Sequence, residues 1–198
     1  MTTLLDVKIA SLQKMNLIDG DSLIENTTTN PYLKAMPSVI DEALQTLATA
    51  GKYIVKDHVI VQDGTGTGIV QRYDFKTLVS DFYDFRDAYF EDEKNYGRVT
   101  ISTEGKGVFI LPTTSIGTWK VYYNAYPQSI TKDTPNDTVL LLDPEIVALI
   151  PIYVASELMR EDEPSLATDL RNKFEVGFGR LVQTPSGGQV AFYSESGW

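Results

Sequence analysis

Trp119-Lys-Val-Tyr-Tyr-Asn-Ala-Tyr126-Pro127, the polar linker Gln128 to Asp137, and the run from Asp143 to Leu181 decide how this chain folds. The first piece alternates apolar and polar residues and is rich in aromatics, which predicts a strand. Asp143-Pro144 then predicts a helix start, with an acid at the N-cap and proline at the first helical position. Ile146 to Met159 is nearly all apolar, so the helix it forms is expected to be buried on most sides. Pro151 inside that run either kinks the helix or marks the first turn of one that starts later. After Arg160-Glu-Asp-Glu163, Pro164 opens a last helix. There Leu166, Leu170, Phe174, Phe178 and Leu181 recur every three or four residues. The two helices are expected to form a hairpin with one shared seam.

Working outward, Thr2 to Leu17 carries Leu5, Ile9 and Leu12 at helical spacing and stops near Asp19-Gly20. Asp21 to Met36 is polar and reads as a loop. Ser38 predicts the start of a second helix, with Asp41 completing a capping box and Val39, Ile40, Ala43, Leu44 and Leu47 as its buried stripe. From Lys52 the period becomes two. Tyr53 to Val61 predicts a strand, Asp63-Gly-Thr-Gly-Thr-Gly68 a hairpin loop, and Ile69 to Phe75 another extended piece. Ser80 to Glu93 is acidic and aromatic, and fits helix or strand. Arg98 to Ser102 and Val108 to Leu111 flank Glu104-Gly-Lys-Gly107 as a predicted hairpin. Residues 184–198 show no periodicity.

The fold class expected is therefore α+β. Residues 1–52 and 138–183 supply a helical bundle, residues 53–137 a small antiparallel β-module inserted into it, and residues 184–198 an extended C-terminal arm. A chain of 198 residues buries about 70% of its unfolded surface, so no metal or disulfide staple is required.

Composition narrows function. The chain has no cysteine, which excludes a thiolate nucleophile, thiolate zinc sites and a disulfide scaffold. Net charge is −10, from 27 acidic and 17 basic residues, and both halves are acidic. Tight nucleic-acid binding needs clustered Lys and Arg, which are not seen. No apolar stretch approaches a membrane span, and the N-terminus lacks the basic and apolar run of a signal peptide. A soluble, unsecreted protein is expected, with the sequons at Asn26 and Asn136 idle.

The loop 63–68 offers glycine-freed N–H groups to an anion, but lacks the Gly-Lys-Ser/Thr ending and precedes a strand rather than a helix. His58 is the only histidine, so any serine–histidine–acid triad must use it. Its alternation with Ile54, Lys56 and Ile60 is that of an ordinary strand residue. The acid runs 81–93 and 157–163 could hold a divalent cation or act as a general acid and base, and each also contains arginine, as a solvated surface does. Tyr122, Tyr123 and Tyr126 fit either a stacking surface for sugars or the alternate faces of a strand. No cofactor and no metal is expected, and the chain is not expected to be an enzyme.

Val121-Tyr-Tyr-Asn-Ala-Tyr-Pro127, Lys132-Asp-Thr-Pro-Asn-Asp-Thr138, the helix Leu142 to Ser156, the turn Glu161-Asp-Glu-Pro164 and the closing helix Leu166 to Phe178 resemble tailed-bacteriophage head–tail adaptor (connector) proteins. The likeness spans residues 84–182 and is compatible with the N-terminal helices. It implies a virion structural protein assembled in the host cytoplasm: a homo-oligomeric ring, usually of twelve subunits. Such a ring docks beneath the portal protein, joins it to tail or nozzle proteins, and lets double-stranded DNA pass without tight binding. Another neck or tail-completion protein is the alternative, and a carbohydrate-binding β-module a more distant one. Phe192, Tyr193 and Trp198 are the expected anchors of the arm on the portal or a neighbouring subunit.

Overall fold

The computed structural model describes residues 2–50, 54–66, 68–91, 96–99 and 102–183. Its elements, in chain order, are α1 (Leu4–Lys14), α2 (Asn30–Thr49), β1 (Ile54–Gln62), β2 (Val70–Asp74), α3 (Phe75–Leu78), β3 (Phe82–Glu91), β4 (Tyr96–Val99), β5 (Ser102–Glu104), β6 (Val108–Pro112), β7 (Gly117–Ala125), α4 (Pro144–Val147), α5 (Ile150–Leu158) and α6 (Pro164–Gln183). The protein is a mixed α and β structure with antiparallel sheets.

Local chemistry sets the helix ends. Thr3 and Asp6 form a reciprocal capping box at the start of α1, which satisfies two backbone donors that the first turn leaves free. At its other end Asn16 takes a positive φ of 57°. The Asn16 and Leu17 N–H groups then reach back to Gln13 and Leu12, a Schellman closure. Asparagine tolerates that left-handed conformation better than most residues.

The second helix differs from expectation. It starts at Asn30, not Ser38, and runs through Pro37. Asn26 accepts the backbone N–H groups of Thr28 and Thr29, and the buried Thr29 hydroxyl donates to the Ile24 carbonyl at 2.6 Å, which sets up the first turn ahead of Pro31. Proline costs the helix one donor, but Met36, Pro37 and Ile40 are all buried. Packing outweighs propensity there. Ser38 is no cap: its hydroxyl donates to the Ala35 carbonyl.

Pro151 falls in the first turn of α5, behind the separate short α4, so it starts a helix rather than kinking one. α6 begins at Pro164 as expected and runs back along α5. Arg171 meets Glu157, Phe174 meets Tyr153, and Gly177 lies against Leu149. Helices α1 and α2 pack on α5 as well. Leu4, Val7, Leu12, Ile40, Leu44, Leu47, Ile146, Ile150, Val154, Leu170 and Phe174 share one apolar cluster, so helices from both ends of the chain have a common core. Each fully buried Leu or Ile there contributes about 1.5–3 kcal/mol.

The strands form a four-stranded sheet, β1-β7-β3-β4, and a three-stranded sheet, β2-β6-β5. This corrects two expectations. Loop 63–68 is not a hairpin loop: β1 pairs with β7 and β2 with β6, so the loop carries the chain from one sheet to the other. Arg98 and Val99 pair with β3, whereas Ser102 opens β5, so only the latter belongs to the hairpin with β6. Gly105 and Gly107 make that turn with φ of 60° and 113°. The ambiguous stretch 80–93 is strand over the described β3, irregular near Tyr83 and Arg86 where its register on β7 shifts.

A second apolar cluster lies between the sheets, with Phe75 at its centre. Its ring meets those of Phe82, Phe85, Phe109 and Tyr123 at centroid separations of 4.9–6.2 Å. Gln62 also bridges the sheets. It donates to the Pro112 carbonyl and accepts from the Tyr73 hydroxyl.

Candidate interaction site

Where the edge of the four-stranded sheet meets α2 and the segment after β7, an apolar cleft of about 330 Å³ opens. The segment after β7 builds it. The Tyr126 N–H donates to the Asp81 carbonyl at 2.8 Å, which turns the chain off the sheet. Ile130 then enters the helical core, and its N–H donates to the Asp41 carboxylate at 2.7 Å. Thr138 and Leu140 are pinned by backbone hydrogen bonds to Leu4 and Thr2. Ile54, Leu140 and Leu142 form apolar wall, and Tyr126 and Leu141 stand at 43% and 71% exposure.

One corner is polar. Lys56 bonds Asp81 at 2.5 Å, and the Tyr123 hydroxyl donates to the other Asp81 oxygen at 3.0 Å. Burial pushes the Asp81 carboxyl up, but the hydrogen bonds from Lys56 and Tyr123 outweigh it and hold the group below its ordinary range. Burial, then the bond to Asp81, raises Tyr123 to about 12. Asp81 is thus a held anion whose oxygens are both engaged. The corner suits recognition of an amphipathic side chain better than proton transfer.

The candidates read from sequence fall elsewhere. In loop 63–68 the Asp63 carboxylate accepts the Thr65 N–H and hydroxyl at 3.0 and 2.7 Å, so the loop's own anion already engages those two donors. His58 is half-buried, edge-on to Phe75 at 5.7 Å, as a strand residue on the inner face. The run 157–163 is partly neutralised. Glu157 bonds Arg160 and Arg171, and Arg171 also bonds Glu175. Asp87 pairs with Arg98. Among the described residues no three His, Asp or Glu side chains converge as a metal site would require.

The tyrosine run divides between faces. Tyr123 is buried between the sheets, whereas Tyr122 lies edge-on to Tyr89 at 5.6 Å and Tyr126 edge-on to Tyr83 at 4.9 Å. Edge-on pairs present no flat platform for a sugar ring. Phe192, Tyr193 and Trp198 lie outside the described residues.

A second paired network joins the helices. The Tyr153 hydroxyl on α5 donates to Glu42 on α2 at 2.7 Å, and the Arg171 guanidinium on α6 lies 5.2 Å from the Tyr153 ring. Burial and the bond to Glu42 raise Tyr153 to about 12.

No spacing in the sequence marks the cleft. Lys56 and Asp81 are brought together because β1 and β3 flank β7, a pairing across many residues. No helix among the described residues is long and apolar enough to cross a membrane. Compared with known proteins, the chain matches no protein-family model and no curated sequence.

Proposed function

We propose that this chain is a virion structural protein: a head-to-tail adaptor whose copies close into a ring beneath the portal, joining capsid to tail and lining the DNA channel. The observation that carries the reading is the shared helical core. Helices that precede the strands and helices that follow them bury their apolar faces together, while the strands enclose a core of their own. That arrangement supports a bundle from residues 1–52 and 138–183, with α5 and α6 as its hairpin, and a β-module inserted at 53–137. Residues 184–198 form the arm. The sequence likeness over residues 84–182 points the same way.

The mechanism is mechanical. Identical subunits meet head to tail, and a heterologous contact that returns on itself makes a ring, here taken as twelvefold. A net charge of −10 lets DNA slide past rather than stick. The arm makes its contacts when it meets the portal or the next subunit, with Phe192, Tyr193 and Trp198 as anchors. Electron microscopy of virions tests the assignment. Density for this chain directly under the portal supports it. Density further down the tail supports the neck or tail-completion alternative, and absence from the virion contradicts both.

A further inference from the structure

The cleft between the four-stranded sheet and α2 has apolar walls, one charged corner and two exposed apolar residues, Tyr126 and Leu141. Exposed apolar groups clustered at a concavity mark a docking site. The chain itself holds a matching segment. Residues 184–198 carry three aromatics, Phe192, Tyr193 and Trp198, and a single charged residue, Glu195. So nearly neutral a segment escapes the repulsion that a strongly acidic subunit exerts on acidic partners.

Geometry brings the two within reach. Gly177 lies against Leu149, just before α5, so the last turns of α6 run beside the start of α5, which follows the cleft-lining segment 138–142 and α4 along the chain. Fifteen further residues extend to about 50 Å. A compact subunit of this length is about 40 Å across, so a fully extended segment is long enough to meet the next subunit.

We propose that the cleft receives residues 184–198 of a neighbouring copy, with the Tyr193 ring against Ile54, Leu140 and Leu142 and its hydroxyl at the Lys56–Asp81 corner. This rests on the ring reading and names the surface through which one subunit clasps the next. Tyrosine suits the site because its body is apolar and its tip hydrogen-bonds, and a cleft of about 330 Å³ accommodates one such side chain.

Crosslinking of the full-length chain tests it, helped by the absence of native cysteine. Leu141→Cys and Ser194→Cys are made in separate chains bearing different tags, mixed and oxidised. Both substitutions spare the aromatic anchors, and Leu141 is 71% exposed, so folding is little disturbed. The expected product is a disulfide-linked species carrying both tags, at twice the 22.1 kDa chain mass plus the tags. Thr168→Cys on the exposed face of α6, mixed with Ser194→Cys, gives the background. A yield no higher than that background overturns the proposal. So does a Leu141→Cys/Ser194→Cys double variant that closes only within its own chain. A ring seen in virions without the link sinks this inference alone and leaves the adaptor reading standing.

Discussion

The Asp41 carboxylate on α2 accepts the Ile130 backbone N–H at 2.7 Å, and this bond fastens the segment leaving the β-sheet to the helical layer. The bond is partly buried and charge-assisted, so replacing the acid leaves an N–H without its partner. Asp41→Ala is expected to cost about 1.5–3 kcal/mol of stability. Asp41→Asn, which keeps an acceptor, is expected to cost less. Urea unfolding midpoints check both, and equal losses would show that the bond contributes nothing beyond packing.

Tyr153 and Tyr123 are both raised to about 12 from an ordinary value of 10, each by burial and then by a carboxylate partner. A raised value means that the folded state holds the proton more tightly. Their contribution is fully present below pH 10 and is lost as pH climbs towards 12. Thermal melts should therefore fall steadily across that window. Tyr153→Phe should lower stability at pH 7 by about 1 kcal/mol and flatten part of the alkaline decline. An unchanged alkaline slope in the Tyr153→Phe, Tyr123→Phe double variant would contradict the account.

Gly177 and Gly179 sit in the same helix with different surroundings. A Cβ at Gly179 meets nothing within 4 Å, whereas one at Gly177 runs into the Leu149 side chain. Alanine at either position gains helix propensity of about 1 kcal/mol. Gly179→Ala is expected to realise most of that gain. Gly177→Ala must displace Leu149 and gains less or destabilises. Chemical denaturation of the two variants side by side gives the comparison.

Removal of residues 184–198 is expected to leave the far-ultraviolet circular dichroism of the subunit unchanged per residue of remaining chain. Attachment of the truncated protein to portal-bearing heads should weaken. Undiminished attachment would remove the arm from the mechanism.

Much of the fold was readable because its signals are local. Leu166, Leu170 and Phe174 mark the inner face of α6 by spacing alone, and Pro164 marks its start. Strand β7 shows the same clarity, since its buried positions alternate along its length. The start of α2 was hidden by Pro37, whose local penalty is outweighed by burial that no local pattern reports. Strand partners were hidden for a related reason. Asp63 to Gly68 has the composition of a hairpin turn, yet its flanking strands find their partners in β7 and β6, far along the chain.

The cleft was the least legible part. Lys56 and Asp81 are unremarkable in their own neighbourhoods, and Leu141 is one more apolar residue just ahead of the helix start at Asp143. Only the order β1-β7-β3, with the return of the chain past Tyr126, places them around one cavity.

Native mass measurement of the purified chain, alone and with portal rings, beside negative-stain images, bears most directly on the central claim. The account predicts a closed ring with about 265 kDa of this chain, twelve copies of 22.1 kDa, docked on the portal. A chain that stays a monomer under both conditions, with no density added to the portal, would contradict it.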